Sequence, residues 1–235
     1  MLADLAVDSP RTVLDVGCGT GDIARRLAPL VDHLDDVDFS GGMIKKGKRL
    51  PGGDHPNLTW SHSPVEAASL APSYALITAG ESIHWMAWDV IFPRFAQVLT
   101  PRGVLAIVDR DWDRVDAVRE RLRPIFARCS TNRDFRPYDL LTELEWRGLF
   151  SKQGEKRTRP EPWWPTPDDY VECRHSQNGF SRDRMGRESA ATFDEALRTA
   201  VLELCRQGTI GLRDSRLQLA VDARIVWGKP LDPGR

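Results

Sequence analysis

Cysteine is scarce in this chain: four in 235 residues, at positions 18, 129, 173 and 205. They are too few and too scattered for a disulfide framework, and no two stand at C-x-x-C spacing, so reduced thiols in a cytoplasmic protein are expected. The five histidines, at 33, 55, 62, 84 and 175, include no helical pair spaced to hold a metal ion, and no metal is expected. Charge of one sign is missing as well. Lys and Arg number 33 against 34 Asp and Glu, for a formal net charge of −1, so no global positive field gathers nucleic acid or anionic lipid. No apolar run approaches the length of a membrane span, and the opening MLADLAVDSPR has no basic start followed by a long apolar stretch. Neither a nucleic-acid nor a membrane partner is expected. Internal repeats and low-complexity tracts are also lacking.

The chain does carry 41% hydrophobic and 29% charged residues, which suits one globular domain over 1–235 with a sizeable core. Residues 12–110 alternate short β-like runs with helical patterns, the signature of a parallel sheet with crossover helices. TVLDVG, HLDDVDFS, NLTWSHS, YALITAG and GVLAIVD read as its five strands. DIARRLAPLV reads as a helix with Ile23, Leu27 and Leu30 on its apolar face; GGMIKKGKRL reads as a basic-faced helix stopped by Pro51. VIFPRFAQVL is expected to start its helix near Pro93, where a missing N–H costs least. From 111 to 215 the rhythm changes to helical cap insertions that build a substrate pocket. There, DRVDAVRERLRPIFARCS places Val115, Val118, Leu122, Ile125 and Cys129 on one face, with a kink at Pro124. PYDLLTELEWRGLF is another helix, and RPEPWWPTPDD a rigid connection. TFDEALRTAVLELCRQG opens on a capping box from Thr192 to Glu195 and buries Phe193, Leu197, Ala200, Val201 and Leu204. In 216–235, LQLAVDARIVWG alternates Leu219, Val221, Ala223, Ile225 and Trp227 with polar residues, an antiparallel strand near the sheet edge with one covered face. The fold class is therefore α/β: a doubly wound, mostly parallel, Rossmann-like sheet with an antiparallel C-terminal edge.

Between the first strand and its helix, VLDVGCGTGD sets Gly17, Gly19 and Gly21 where lack of a Cβ permits positive φ and close backbone approach by a ligand. The spacing is G-x-G-x-G, whereas the dinucleotide fingerprint is G-x-G-x-x-G. Asp15 and Asp22 flank the loop, where they would repel a pyrophosphate, and no P-loop lysine follows. Twenty-three residues after Asp15 the second strand ends in Asp38, placed to hydrogen-bond both hydroxyls of a ribose. A ribose-bearing ligand with a cationic centre and no phosphate describes S-adenosylmethionine.

VLDVGCGTGD followed by VDFSGGMI resembles motifs I and II of class I S-adenosylmethionine-dependent methyltransferases; YALITAGESIHWM and VLTPRGVLAIVD are similar to that family's fourth-strand motif and the turn before its fifth strand. The small-molecule group that includes trans-aconitate and quinone-biosynthesis methyltransferases is the most similar. The resemblance implies that Asp15 orients the loop and the amino-acid moiety near Gly17 and Gly19. It implies that Asp38 takes the ribose and that Phe39 and Met43 pack on the adenine. Ser63, Pro64 and Val65 occupy the adenine-edge position, with Pro64 where many relatives have an aspartate. Ala79 and Gly80 would line the methionine arm. The D/N-P-P-Y/F motif of many nucleic-acid amino methyltransferases is absent, the corresponding place reading AGES.

Methyl transfer from a sulfonium is an in-line displacement whose leaving group departs neutral, so alignment supplies much of the acceleration. A carboxylate acceptor needs no base; a phenol or an activated carbon often does. His84, just beyond the fourth strand, is the best-placed base, with Glu81 the weaker alternative. Trp85 and Trp88 stack on substrate or sulfonium, or pack in the core. The basic stretch 119–136 binds an anionic group or is a solvated helix face. The expected function is transfer of a methyl group to oxygen or carbon of a small molecule. The alternatives are a non-catalytic S-adenosylmethionine-binding partner protein and an NAD(P)-dependent oxidoreductase. MLADLAV is too short for a full lid over the cofactor, which leaves a truncated start, an open site, or a homodimer in which a second subunit covers it.

Overall fold

The computed structural model describes residues 8–71, 73–112, 114–132 and 139–234. MLADLAV and the end of the basic stretch therefore lie outside the described residues. In chain order the elements are β1 (Thr12–Val16), α1 (Ala24–Leu27), β2 (His33–Asp38), α2 (Gly41–Gly47), β3 (Leu58–His62), β4 (Tyr74–Gly80), α3 (Trp88–Val98), β5 (Leu99–Asp111) and α4 (Asp116–Cys129). Then come α5 (Leu140–Trp146), β6 (Phe150–Arg157), β7 (Glu161–Trp163), α6 (Pro167–His175), α7 (Arg182–Met185), α8 (Arg187–Arg206), β8 (Gly211–Arg213) and β9 (Arg216–Pro230). Two compact units result. The described residues within Met1–Asp109, Tyr138–Arg157 and Arg224–Arg235 form the first, and those within Arg110–Pro137 and Thr158–Ala223 the second.

In the first unit the strand order is β3-β2-β1-β4-β5-β9-β6. The pairs from β3 to β5 are parallel, and β6 runs antiparallel to β9. This is a mostly parallel α/β sheet with an antiparallel edge. Its apolar side chains alternate between two cores, as the two-residue period of a strand requires. Leu14, Ile77, Leu105 and Val226 enter the core under α3 and α5, while Val13, Leu76, Ala106 and Ile225 enter the core under α1. The sheet is thus covered on both faces, which is why its inner strands are nearly continuous apolar runs.

Several elements differ from the sequence reading. The helix after β1 is one α-turn followed by a 3-10 turn at Ala28–Leu30, and it buries Ala24 and Ala28 while Leu30 is 59% exposed. Small residues let this short element sit close to the sheet. Helix α3 starts at Trp88, so Pro93 lies inside it. Its entry is fixed without the proline, by the Ala87 N–H donating to Glu66 Oε1 and Trp88 Nε1 donating to the Ile83 carbonyl. In β9, Val226 and Ile225 are both buried, so the strand is covered on two faces rather than one, and the edge position falls to β6. β6, FSKQGEKR, carries no apolar alternation; its charged, exposed side chains suit an edge that must not pair with another chain.

In the second unit, α4 buries Val118, Leu122 and Ile125 as expected, while Val115 is the exposed residue preceding the helix. α8 buries the stripe from Phe193 to Leu204, but it begins at Arg187. Thr192 is therefore inside the helix, its hydroxyl donating to the Glu188 carbonyl, and the expected capping box is not formed. The box that does form is at Thr166 and Asp169 on α6, within the stretch expected to be only a rigid connection. In that same stretch Glu161–Trp163 pairs with β9.

Candidate cofactor and active site

The sequence-selected residues gather at one end of the first unit's sheet. β1, β2, β3 and β4 run parallel and finish at Val16, Asp38, His62 and Gly80, so the loops that follow emerge side by side. Chain order reverses between β1 and β4, and in open α/β sheets the crevice outside such a switch point is where ligands bind.

Gly17, Gly19 and Gly21 all take positive φ, at 62°, 58° and 72°. Close approach makes glycine obligatory at position 17, where a Cβ would lie 2.5 Å from Ser82 Cβ. The loop is anchored by the Gly17 N–H donating to the Val37 carbonyl at 2.8 Å and the Gly19 N–H donating to Asp38 Oδ2 at 2.8 Å. Asp38 Oδ1 accepts from the Ser40 N–H at 2.7 Å. Each oxygen keeps a further lone pair for an incoming hydroxyl. Helix α2 is capped instead by the Ser40 hydroxyl, which accepts from the Met43 N–H. Just beyond, Phe39 is 73% and Met43 42% exposed, two large apolar side chains left facing solvent beside the loop.

Ser63 joins this edge through its N–H, which donates to the Asp38 carbonyl at 3.0 Å, and Pro64 beside it is exposed. His62 contacts the Phe39 carbonyl through Nε2 at 3.0 Å. The side chains of Val65 and Ala79 are buried in the core, so these positions offer backbone only. Gly80 ends β4 against Ile23. His84 lies on the 3-10 turn Ile83–Trp85, its ring 4.7 Å from that of Trp85. Neighbouring protein desolvates the imidazole and lowers its pKa below the ordinary 6.5, with the Glu81 charge opposing. Trp85 is half exposed, whereas Trp88 packs against the core.

Four features of this end escaped the sequence reading. Ser82 is buried, donates to the Val16 carbonyl at 2.7 Å and sets how close the loop lies to β4. Glu81 holds φ at +51°, a left-handed conformation uncommon for a non-glycine residue and frequent at functional sites. Beneath the loop, Asp36 sits in register beside Asp15, at 0% and 1% exposure. Thr78 Oγ1 donates to Asp15 at 2.6 Å, yet burial raises the pKa of both acids; the Asp15 charge further opposes ionisation of Asp36, and the Asp38 charge that of Asp15. The Cys18 thiol shares this pocket, and burial beside the acids raises its pKa too. A polar residue interrupting a buried strand was the available signal for Asp36.

Residues 13–103 match the family described as "Methyltransferase domain". The chain is 37% identical over 82 residues to the malonyl-[acyl-carrier protein] O-methyltransferase of Anoxybacillus flavithermus, covering 34% of this chain and 31% of that protein. It is 29% identical over 157 residues to the trans-aconitate 2-methyltransferase of Azoarcus sp., covering 60% and 59%. The chain therefore spans from about a third to about three fifths of these relatives' length. Among solved structures, a protein of Anaeromyxobacter dehalogenans provisionally assigned as a type II methyltransferase superposes with a TM-score of 0.62 at 25% identity, over 97% of this chain and 93% of that one. Residues 13–103 thus form a class I S-adenosylmethionine-dependent methyltransferase domain. No described helix is long and apolar enough to cross a membrane.

Proposed function

We propose that the protein transfers the methyl group of S-adenosylmethionine to an oxygen or carbon atom of a small molecule. The observation that carries this reading is the glycine loop drawn onto Asp38 at the open ends of β1 and β2, beside the exposed Phe39 and Met43. A nucleoside with no phosphate fits it. Asp38 would accept the ribose hydroxyls, Phe39 and Met43 would cover the adenine, and the Ser63–Pro64 backbone would meet its edge. Gly17 and Gly19 would let the methionine portion approach the main chain, with Gly80 beside it. Asp15, held by Thr78 and by the Ala24 N–H, would act through the loop rather than by touching the ligand.

When bound, the cofactor supplies a methyl carbon on a sulfonium, whose displacement releases a neutral thioether. The chain's contribution is alignment. His84 is the base we assign for acceptors that still hold a proton: desolvation lowers its pKa and so favours the neutral imidazole, which accepts a proton. The curated relatives' names, one specifying an O-methyltransferase and one trans-aconitate as substrate, support oxygen as the acceptor atom and a small acid as its carrier.

Thermal-shift measurements test the cofactor. S-adenosylhomocysteine at a hundred times its Kd should add about 2.7 kcal/mol of stability, while NAD should add none. Asp38→Ala should abolish most of that gain. Absence of a shift with either adenosyl compound overturns the assignment, and an unchanged affinity in Asp38→Ala removes the ribose role.

A further inference from the structure

The second unit holds a cavity of about 370 Å³ lined by none of the residues named for the site above. Its wall is largely apolar and aromatic, including Trp112, Trp164, Pro162, Val118, Ile210 and Leu219. The volume falls in the range of small-molecule sites, and a mostly apolar wall with a few polar groups is their usual composition. Trp112 is braced: its ring meets Trp163 edge-on at 4.9 Å and lies 4.8 Å beneath the Arg110 guanidinium. A braced ring forms a wall that needs little reordering on binding. At the same cavity, Trp164 is 51% and Val115 44% exposed, so large apolar surface stands in water beside a concavity. Burying that surface against a ligand is favourable.

Arg114 is the one charged residue among the described residues lining the cavity. Its Nε lies 3.0 Å from Oδ2 of Asp222, a carboxylate that is 4% exposed. That ion pair holds the guanidinium at the cavity wall. An oriented guanidinium grips a carboxylate with two parallel hydrogen bonds, and the same charge repels an amine.

We propose that this cavity binds a small planar aromatic carboxylate, its ring against Trp112 and Trp164 and its carboxylate on Arg114. The site does not depend on methyl transfer; its ligand is either the methyl acceptor or an effector, and one experiment separates the two. Benzoate, indole-3-acetate and 2-naphthoate are titrated into the full chain by calorimetry, with 3-methylindole and tryptamine as the neutral and cationic counterparts of the second probe. At least one acid should bind one-to-one. Indole-3-acetate should bind about tenfold or more tighter than 3-methylindole, the usual worth of a charge-assisted hydrogen bond, and tryptamine should not bind.

Trp164→Ala, a change at a half-exposed position, should weaken the acid about tenfold or more and leave S-adenosylhomocysteine affinity unchanged. Arg114→Lys keeps a partner for the buried Asp222 while removing the fork, and should erase most of the preference for acid over neutral ring. No binding by any of the three acids overturns the proposal, as does equal affinity for acid and neutral ring, or wild-type affinity in Trp164→Ala. With S-adenosylmethionine present, formation of the methyl ester marks the ligand as acceptor. A carboxylate oxygen–carbon bond forms, the sulfur–carbon bond breaks, and no proton moves. Binding without ester marks it as an effector. Acid binding with no S-adenosylhomocysteine shift would sink the methyltransferase reading and leave the cavity standing; the reverse pattern would sink only the cavity.

Discussion

Asp36→Asn should make the protein's stability less sensitive to pH, in a sense that the buried acid pair dictates. Asp15 and Asp36 face each other on β1 and β2, almost wholly buried, and neither Asp36 oxygen accepts a hydrogen bond. Burial is the largest cause raising both pKa values above the ordinary 3.8, and the Asp15 charge further raises that of Asp36. In the unfolded chain both acids ionise near the ordinary value and have lost their protons by about pH 5, while the folded state retains them. The native state then binds more protons than the unfolded state, so stability falls as pH rises from 5 towards 7. Each retained proton contributes a slope of about 1.4 kcal/mol per pH unit. Over the two units from pH 5 to 7, removing the titration of Asp36 should cut the decline by up to about 3 kcal/mol. Groups elsewhere titrate alike in both proteins and cancel. Urea unfolding followed by circular dichroism at pH 5, 6 and 7, at constant ionic strength, reads the effect, with equal m-values confirming that the same surface unfolds. Parallel pH profiles for wild type and Asp36→Asn would refute the reasoning, as would wild-type stability that rises relative to the variant.

Gly17→Ala should lose stability by about 1–3 kcal/mol, because its φ of 62° is unfavourable for alanine and the new Cβ meets Ser82; a melting temperature equal to wild type would contradict this. At Gly19 a Cβ would meet only Met43 Cε, at 3.4 Å, so Gly19→Ala should be the milder change in denaturant while still weakening S-adenosylhomocysteine in calorimetry. For an acceptor that holds its proton, His84→Gln should lower kcat about a hundredfold with cofactor affinity intact. Because desolvation lowers the His84 pKa in the free protein, the acid limb of wild-type kcat/KM should have its midpoint below 6.5; a midpoint above 6.5, or full turnover by His84→Gln, removes the base.

The strands that place the cofactor loop were legible because parallel interior strands are apolar runs, and their ends were marked by glycines and by Asp38. Elements whose identity depends on partners were not. β6 carries a solvated, charged pattern that reads as loop until β9 supplies its hydrogen bonds. The two candidate capping boxes make the same point. Thr192 and Glu195 have the right spacing, but RESAA before them continues a helix without interruption, and the break falls at Gly186, which has φ of +73°. Thr166 is bracketed by Pro165 and Pro167, which hold the preceding chain extended and start α6 on its first residue. A cap is therefore set by whether the residues upstream can remain helical, more than by its own spacing.

The acids on β2 show where such local reasoning stops. Asp36 and Asp38 lie two residues apart and so point to the same face of the strand. Asp38 sits at the strand end, where position alone suggests a ligand. Asp36 lies one step deeper, and nothing in its neighbours reveals that Asp15 stands opposite, because that pairing depends on the register of β1 against β2. The same register that delivers Asp38 to the glycine loop forces two carboxyl groups together beneath it. The loop's geometry and the pH dependence of its support are thus two consequences of one strand alignment.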